Sequence, residues 1–442
     1  MGLCHLNLRS LLKPTLVLLI LPPILLSACS TSINLSNRSV SQSTSSVNSL
    51  TIVPNQLPAP ASIKSIQLYA NKNMRSAPII ELNSDDELTL SFDELTDVNG
   101  QFRITFTHHG KTWGSSEIPQ SWFLEGSGEL ILGGGTKSNS HGPGYIHYQT
   151  TISLNELNFL ASGNYLLHVS DASTGRELFS LPFFIVEGEG ELSSTSQTLF
   201  NSGNNFYPVH RLFSTFSLPE FVVYPEFDLS FGFVQNRFWA KTRFTESYDL
   251  NTPGLAKFDL PQSNAFPANV HHITKNLSDF SQSTYSVIEW NPGSNPPEVI
   301  LREDVLNFLS SGSSSGSNII KSKPESSTRS AYARTVFRLD GDEDLTPDDE
   351  IHLLGDFNQW TVSDDSRLSL VPDNGLWINT QILKEGIYSY KYVKAGIKSE
   401  IDLTSLADNS SPSIQEYMSF VYFNDPERKY DRLLAVEVFF AR

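Results

Sequence analysis

Apolar and polar residues alternate with a period of two over much of residues 63–190, the pattern of half-buried strands. Residues 63–68, 88–93, 102–107, 145–154, 165–169 and 181–186 each predict a strand rich in β-branched and aromatic side chains. Asn99-Gly100, between the second and third, is a hairpin signal. Turn residues punctuate these runs at sandwich-like spacing, so 62–190 reads as one Ig-like β-sandwich. Residues 195–309 stay β-rich, with strands predicted at 227–234 and 285–290. No long amphipathic helical pattern occurs, and 304–310 is the best short helix candidate. A Ser/Gly-rich stretch, 310–330, predicts a linker or loop before a third domain at 331–442. The expected fold class is all-β, tandem Ig-like β-sandwich domains with a β-rich middle domain.

The third region carries Leu353-Leu354-Gly355-Asp356-Phe357-Asn358-Gln359-Trp360, a strand entering an aromatic turn. Further on, Tyr388, Tyr390 and Tyr392 alternate along one strand face. Together these resemble the early Ig-like module of starch- and glycogen-binding proteins. That resemblance implies sugar binding, with Trp360 and Trp377 as candidate binding residues. Sugar-binding versions often place an aromatic soon after the second block. Here that stretch is Lys394-Ala395-Gly396-Ile397-Lys398.

The N-terminus reads as an export signal over residues 1–28. Arg9 and Lys13 form its charged start, and 16–26 is an apolar core too short for a comfortable membrane span. Leu26-Ser27-Ala28-Cys29 matches the bacterial lipobox. It predicts diacylglyceryl transfer to the Cys29 thiol and cleavage before it. Several acyl chains anchor stably, at about 0.8 kcal/mol per buried methylene. Ser30, rather than Asp, implies sorting to the outer membrane. Residues 29–61 therefore predict a lipidated cysteine and a flexible tether, Ser/Thr/Asn-rich and closed by Pro54, Pro58 and Pro60. Its root-mean-square reach is roughly 30 Å.

The net charge is −17, and loss of the leader removes two cations more. That balance argues against nucleic acid and against docking on anionic lipid. Of two cysteines, Cys4 lies in the leader, so an exported body has no internal disulfide and depends on burial.

Four patterns resemble chemical motifs, and each is expected to carry none. Gly312-Ser313-Ser314-Ser315-Gly316 satisfies G-x-S-x-G but lies in low-complexity sequence, without the strand and helix that strain a nucleophile. His108 and His109 are adjacent on a predicted strand and point to opposite faces, and His141 and His147 add no ligand spacing. The acidic run 340–349 lacks the register of a calcium loop. Gly133-Gly134-Gly135-Thr136 is followed by no Lys-Ser/Thr pair opening a helix. We therefore expect no catalytic residues, metal or cofactor.

Several blocks, in order, are similar to the type IX secretion system plug protein family. In the first domain they are 88–95, 108–116 with Trp113, 145–148, Ser162-Gly163-Asn164-Tyr165-Leu166-Leu167 and 183–187. The middle region adds Val234-Gln235-Asn236-Arg237-Phe238-Trp239. The third adds 354–360, 386–393, 420–423 and Tyr430-Asp431-Arg432-Leu433-Leu434. The chain departs from the family at His109, where a cysteine is usual, and after Phe266-Pro267, where it reads Ala268-Asn269-Val270-His271. The resemblance implies a non-enzymatic protein facing the periplasm. Its partner would be the large β-barrel translocon of the outer membrane, whose mouth it would seal. The alternative is a lipid-anchored α-glucan-binding protein.

Overall fold

The structure is a computed structural model. It describes residues 53–441 apart from 201–206, 282–284, 307–322, 325–327, 342–344, 396–400, 403–405 and 407–411. These residues fall within one compact unit, Ser46–Arg442. Among them no helix is long and apolar enough to cross a membrane.

The fold is all-β, built of paired sheets. The first pair forms a sandwich. One sheet has the order Ile63–Ala70, Glu87–Glu94, Ile146–Ser153, Thr136–Lys137. The facing sheet runs Ile79–Glu81, Glu177–Val186, Gly163–Asp171, Phe102–His109, Glu129–Leu132. All six strands predicted here form. Asn99-Gly100 does not close a hairpin, however, because the strands on either side of it belong to different sheets. The chain crosses the core there, and Phe92 meets Phe102 edge-on, centroids 5.0 Å apart. A one-face apolar pattern specifies a core but not which sheet the next strand joins.

The other two modules do not follow chain order. Leu192–Phe200, Pro208–Ser217 and Leu255–Asp259 make one sheet. It packs on a sheet of Arg243–Thr245, Leu229–Gln235, Gln415–Asp425 and Tyr430–Ala441. The last two strands of the chain thus complete the middle module. In the third module, Ile273–Leu277 pairs with Gly386–Ala395, which also pairs with Ile351–Gly355. Its second sheet includes Val287–Asn291, Glu298–Leu301, Tyr332–Asp340 and Leu376–Lys384. The sheets therefore cross the division between 195–309 and 331–442. Most of 310–330 lies outside the described residues, apart from the strand Lys323–Pro324, which pairs with Gly386–Ala395.

The helix expected at 304–310 is absent from its described part. Asp304–Val305 is a short strand parallel to Tyr332–Asp340. Its carboxylate is held by tertiary partners: the phenols of Tyr390 and Tyr392 donate to Asp304 Oδ2 at 2.7 and 2.9 Å, and Lys275 Nζ lies 3.0 Å from Oδ1. Three long-range partners outweigh the propensity of a short segment.

Candidate functional site

Two features stand out: a buried junction where the three modules meet, and an exposed apolar loop.

The junction is made largely by residues 234–239 and 430–434. Gln235 Nε2 donates to the Tyr417 hydroxyl at 3.0 Å, and Asn236 Nδ2 to Gln415 Oε1 at 2.6 Å. Arg237 forks onto Glu416 at 2.5 and 2.9 Å and also donates to the Arg75 carbonyl at 2.9 Å. Phe238 packs edge-on against Trp360, 5.5 Å between centroids. Trp239 meets Phe184 of the first module at 5.1 Å. Short as it is, this segment touches all three modules. Tyr430 enters the first core beside His108, and Arg432 pairs with Glu187 at 2.5 Å and Asp425 at 3.1 Å. The hydrogen bond and charge of Glu187 hold the Arg432 pKa above its ordinary value.

A second weld joins the first and third modules. Lys384 Nζ lies 3.0 Å from Asp93 Oδ2, both residues being fully buried. Tyr332 donates to the same oxygen at 2.8 Å, and His147 Nδ1 lies 2.6 Å from Oδ1. The Lys384 ammonium sits 4.5 Å from the Tyr145 ring centroid. A buried pair with its remaining valences satisfied breaks even energetically only while intact; removal of one partner is costly. Its geometry fixes how the two modules meet.

Residues 53–60 cross this junction as a strap. Leu57 N–H donates to Ser180 Oγ at 2.8 Å, and Ser180 N–H returns to the Leu57 carbonyl at 3.0 Å. Ala59 N–H donates to Gln359 Oε1 of the third module at 2.6 Å. Val53 is buried in the cluster of Trp113, Phe184 and Trp239.

Neither predicted tryptophan presents a face to solvent. Trp360 is 0% exposed, and its Nε1–H is held by Asp356 Oδ1 at 2.7 Å. Trp377 is 4% exposed within the core of the third module. Tyr388, Tyr390 and Tyr392 do share one face, and that face is buried core. Cys29 lies outside the described residues. His108 and His109 point to opposite faces: His108 stacks on Phe123 in the core, and His109 Nδ1 contacts the Trp113 carbonyl. Burial lowers the His108 pKa to about 4. Among the described residues no three His, Cys, Asp or Glu gather as metal ligands.

The exposed loop was not anticipated. Val223, Tyr224 and Phe227 stand in solvent, Phe227 at 79% exposure, around the helical turn Pro225–Asp228, and the half-exposed Phe221 beside them packs edge-on against Phe423. Glu220, Glu226 and Asp228 surround them. Pro219 and Pro225 bracket Phe221, Val223 and Tyr224, and Pro225 stands two residues before Phe227; they could have flagged the loop, because proline is excluded from a central strand. Contiguous exposed apolar side chains mark interaction surfaces.

Residues 63–187 match the family model of the type 9 secretion system plug protein 1st domain. No curated protein matches the chain. A hypothetical protein from Parabacteroides merdae, solved by crystallography, superimposes with a TM-score of 0.77 at 18% identity. The alignment covers 87% of this chain and 99% of that one, and shows a shared fold. Dimeric latent PorU from Porphyromonas gingivalis aligns at a TM-score of only 0.15 and 10% identity, over 86% of this chain and 34% of its own. The sandwich at 63–187, welded through Tyr430 and Arg432 to the rest of the body, belongs to the type 9 secretion system plug protein 1st domain family.

Proposed function

We propose that this protein is a periplasm-facing outer-membrane lipoprotein that occludes the periplasmic mouth of the type IX secretion translocon barrel. The family match at 63–187 carries this reading. A pore wide enough for folded cargo leaks small solutes unless a body of fixed shape fills it. The three welded modules supply such a body. Cys29 supplies the anchor, and the tether raises the local concentration of plug at the barrel. The protein works by binding alone. We assign the barrel contact to the loop bearing Val223 and Phe227, an apolar surface with an acidic surround that suits an apolar recess with a basic rim.

The test is capture from outer membranes in mild detergent. The full chain is expected to recover a large barrel of the secretion apparatus, and Phe227→Asp with Val223→Asp to lose it while melting at an unchanged temperature. Recovery of no barrel by the parent chain overturns the reading. Cys29→Ser is expected to release the body from membranes; retention at high salt rules out the lipid as the anchor. The α-glucan alternative has lost both its indole platforms to burial. Retardation of the chain on an α-glucan gel would restore it.

A further inference from the structure

In the first module, four polar side chains form a row that occlusion of a pore does not use. It lies on the second sheet, on the face turned away from the sandwich core. The Glu177 carboxylate is 2.7 Å from His168 Nδ1. His168 Nε2 and His109 Nε2 flank the Thr107 hydroxyl at 2.8 and 2.9 Å. His109 Nδ1 then lies 3.1 Å from the Trp113 carbonyl. Strand register builds the row. Thr105 stands opposite His168 and Asn164 opposite His109, so the two imidazoles reach Thr107 from either side.

The row is one proton short when both imidazoles are neutral. Its ends, a carboxylate and a carbonyl, only accept. Each neutral imidazole brings one N–H and Thr107 one O–H, so three protons serve four contacts. One contact must then set acceptor against acceptor, and a fourth proton removes the conflict. Burial selects where it goes. His109 is 7% exposed, and burial lowers its pKa, so it stays neutral. The His168 side chain is 19% exposed and sits against the Glu177 carboxylate, so it takes the charge. The hydrogen bonds then run one way: His168 donates to Glu177 and to Thr107, Thr107 to His109, and His109 to the Trp113 carbonyl. Neighbouring charges are paired among themselves. Arg103, on the same strand face, lies 3.4 Å from Glu129 of the edge strand, and Lys111 lies 3.6 Å from Asp431 of the last strand. From Gln415–Asp425, Tyr422 donates to Asn164 Oδ1 at 2.8 Å. The strap, which pairs with Ser180 next to His168, carries no charge over 53–60.

The carbonyl at the end of the row belongs to a strained turn. Trp113 has a φ of 66°, left-handed backbone that a bulky residue rarely adopts. Its indole is 2% exposed, in the junction cluster with Val53 of the strap, Phe184 and Trp239. The turn closes by Gly110 N–H donating to the Gly114 carbonyl and Trp113 N–H to the Gly110 carbonyl, both at 2.9 Å. We propose that Glu177, His168, Thr107 and His109 form a proton-operated clamp on the Trp113 turn. With the proton on His168, the Trp113 carbonyl is held and the junction grips the strap. Without it, the carboxylate keeps the Nδ1–H of His168, and the bare Nε2 competes with His109 for the one Thr107 hydroxyl proton. When His168 wins, His109 meets Thr107 only through Nε2–H, and its bare Nδ1 faces the Trp113 carbonyl. Histidine changes charge between about pH 5 and 8, so the clamp closes on the acid side of that range.

The experiment compares the full chain at about pH 5.5 and about pH 8.5, on either side of the histidine range. It needs no barrel, so its outcome is separate from that of barrel capture. Nitrogen NMR of histidine-labelled protein is expected to find the His109 proton on Nδ1 at the lower pH and divided between Nδ1 and Nε2 at the higher. Hydrogen exchange, corrected for the intrinsic rate, is expected to show the Gly110 and Trp113 amides about three- to tenfold better protected at the lower pH, the worth of one hydrogen bond. Two variants then push in opposite directions. Thr107→Val breaks the row between the imidazoles and should leave protection low at both pH values. Glu177→Gln supplies the missing proton from its own amide and should leave protection high at both. Glu177 is an exposed end of the row, so this second variant keeps the test decisive should Thr107→Val disturb folding. Three results overturn the proposal. Equal protection of the parent at the two pH values removes the clamp. A His109 proton on Nε2 at the lower pH reverses the row. A pH dependence that persists in Glu177→Gln belongs to another group.

Discussion

Trp360 and Phe227 occupy similar places in the chain and opposite places in space. Phe227 lies in a short helical turn, Pro225–Asp228, and Trp360 two residues after one, Asp356–Asn358; each turn adjoins a strand. Trp360 is sealed between Phe238, 5.5 Å away, and His272, 5.4 Å away, and its indole N–H is satisfied by Asp356. Phe227 has 79% of its surface in water. The sequence marks Trp360 as an aromatic turn and places Phe227 at the start of the strand predicted at 227–234, which begins instead at Leu229. The difference comes from what lies over them: a segment some 120 residues earlier folds onto the Trp360 turn, and among the described residues nothing covers Phe227 to that extent. An aromatic turn is therefore a poor predictor of a binding face until the neighbouring module is placed.

The comparison breaks most sharply at the welds. Asp93→Asn leaves the Lys384 ammonium buried without its charge partner, and we expect a loss of about 3–5 kcal/mol in urea unfolding. Asp93→Asn with Lys384→Met should recover most of it, since no bare charge remains. A single variant costing under about 1 kcal/mol would mean that the pair is hydrated. Trp360→Ala should cost a similar 3–5 kcal/mol by opening a void between modules. If it melted with the parent, the indole would belong to the surface after all.

A smaller effect is expected with pH. The His108 pKa is about 4 in the fold against an ordinary 6.5, because burial disfavours the imidazolium. The unfolded chain then binds more protons between those values, so stability falls as pH drops from about 6.5 towards 4. The slope approaches about 1.4 kcal/mol per unit in the steep part of that window. His108→Gln should flatten the corresponding part of the curve of melting temperature against pH. A parent curve flat from pH 7 to 4.5 would refute the burial account. The smallest change is Phe227→Ala, expected within about 0.5 kcal/mol of the parent. A cost above 2 kcal/mol would show that Phe227 is part of the core.

How much was legible follows the range of the interactions involved. In the first module every predicted strand formed, because alternation within a strand is set by its own residues and by one adjacent core. Asn99-Gly100 misled because a turn residue reports local backbone preference, not the sheet that the next strand joins. The 304–310 segment misled because Asp304 answers to Tyr390, Tyr392 and Lys275, far away in sequence. The blocks at 234–239 and 430–434 were visible as patterns, but their role in the junction was not.

By itself the sequence determined the β class, the strands of the first sandwich and the blocks that fall within the plug-domain match at 63–187, all through short-range alternation and ordered motifs. Only the tertiary structure decided that the chain's last two strands complete its middle module, that Trp360 and Trp377 are core, and that the loop around Phe227 is surface. The physical reason is the same for all three. Burial is conferred by whichever segment arrives to exclude water, and that segment is often distant in the chain.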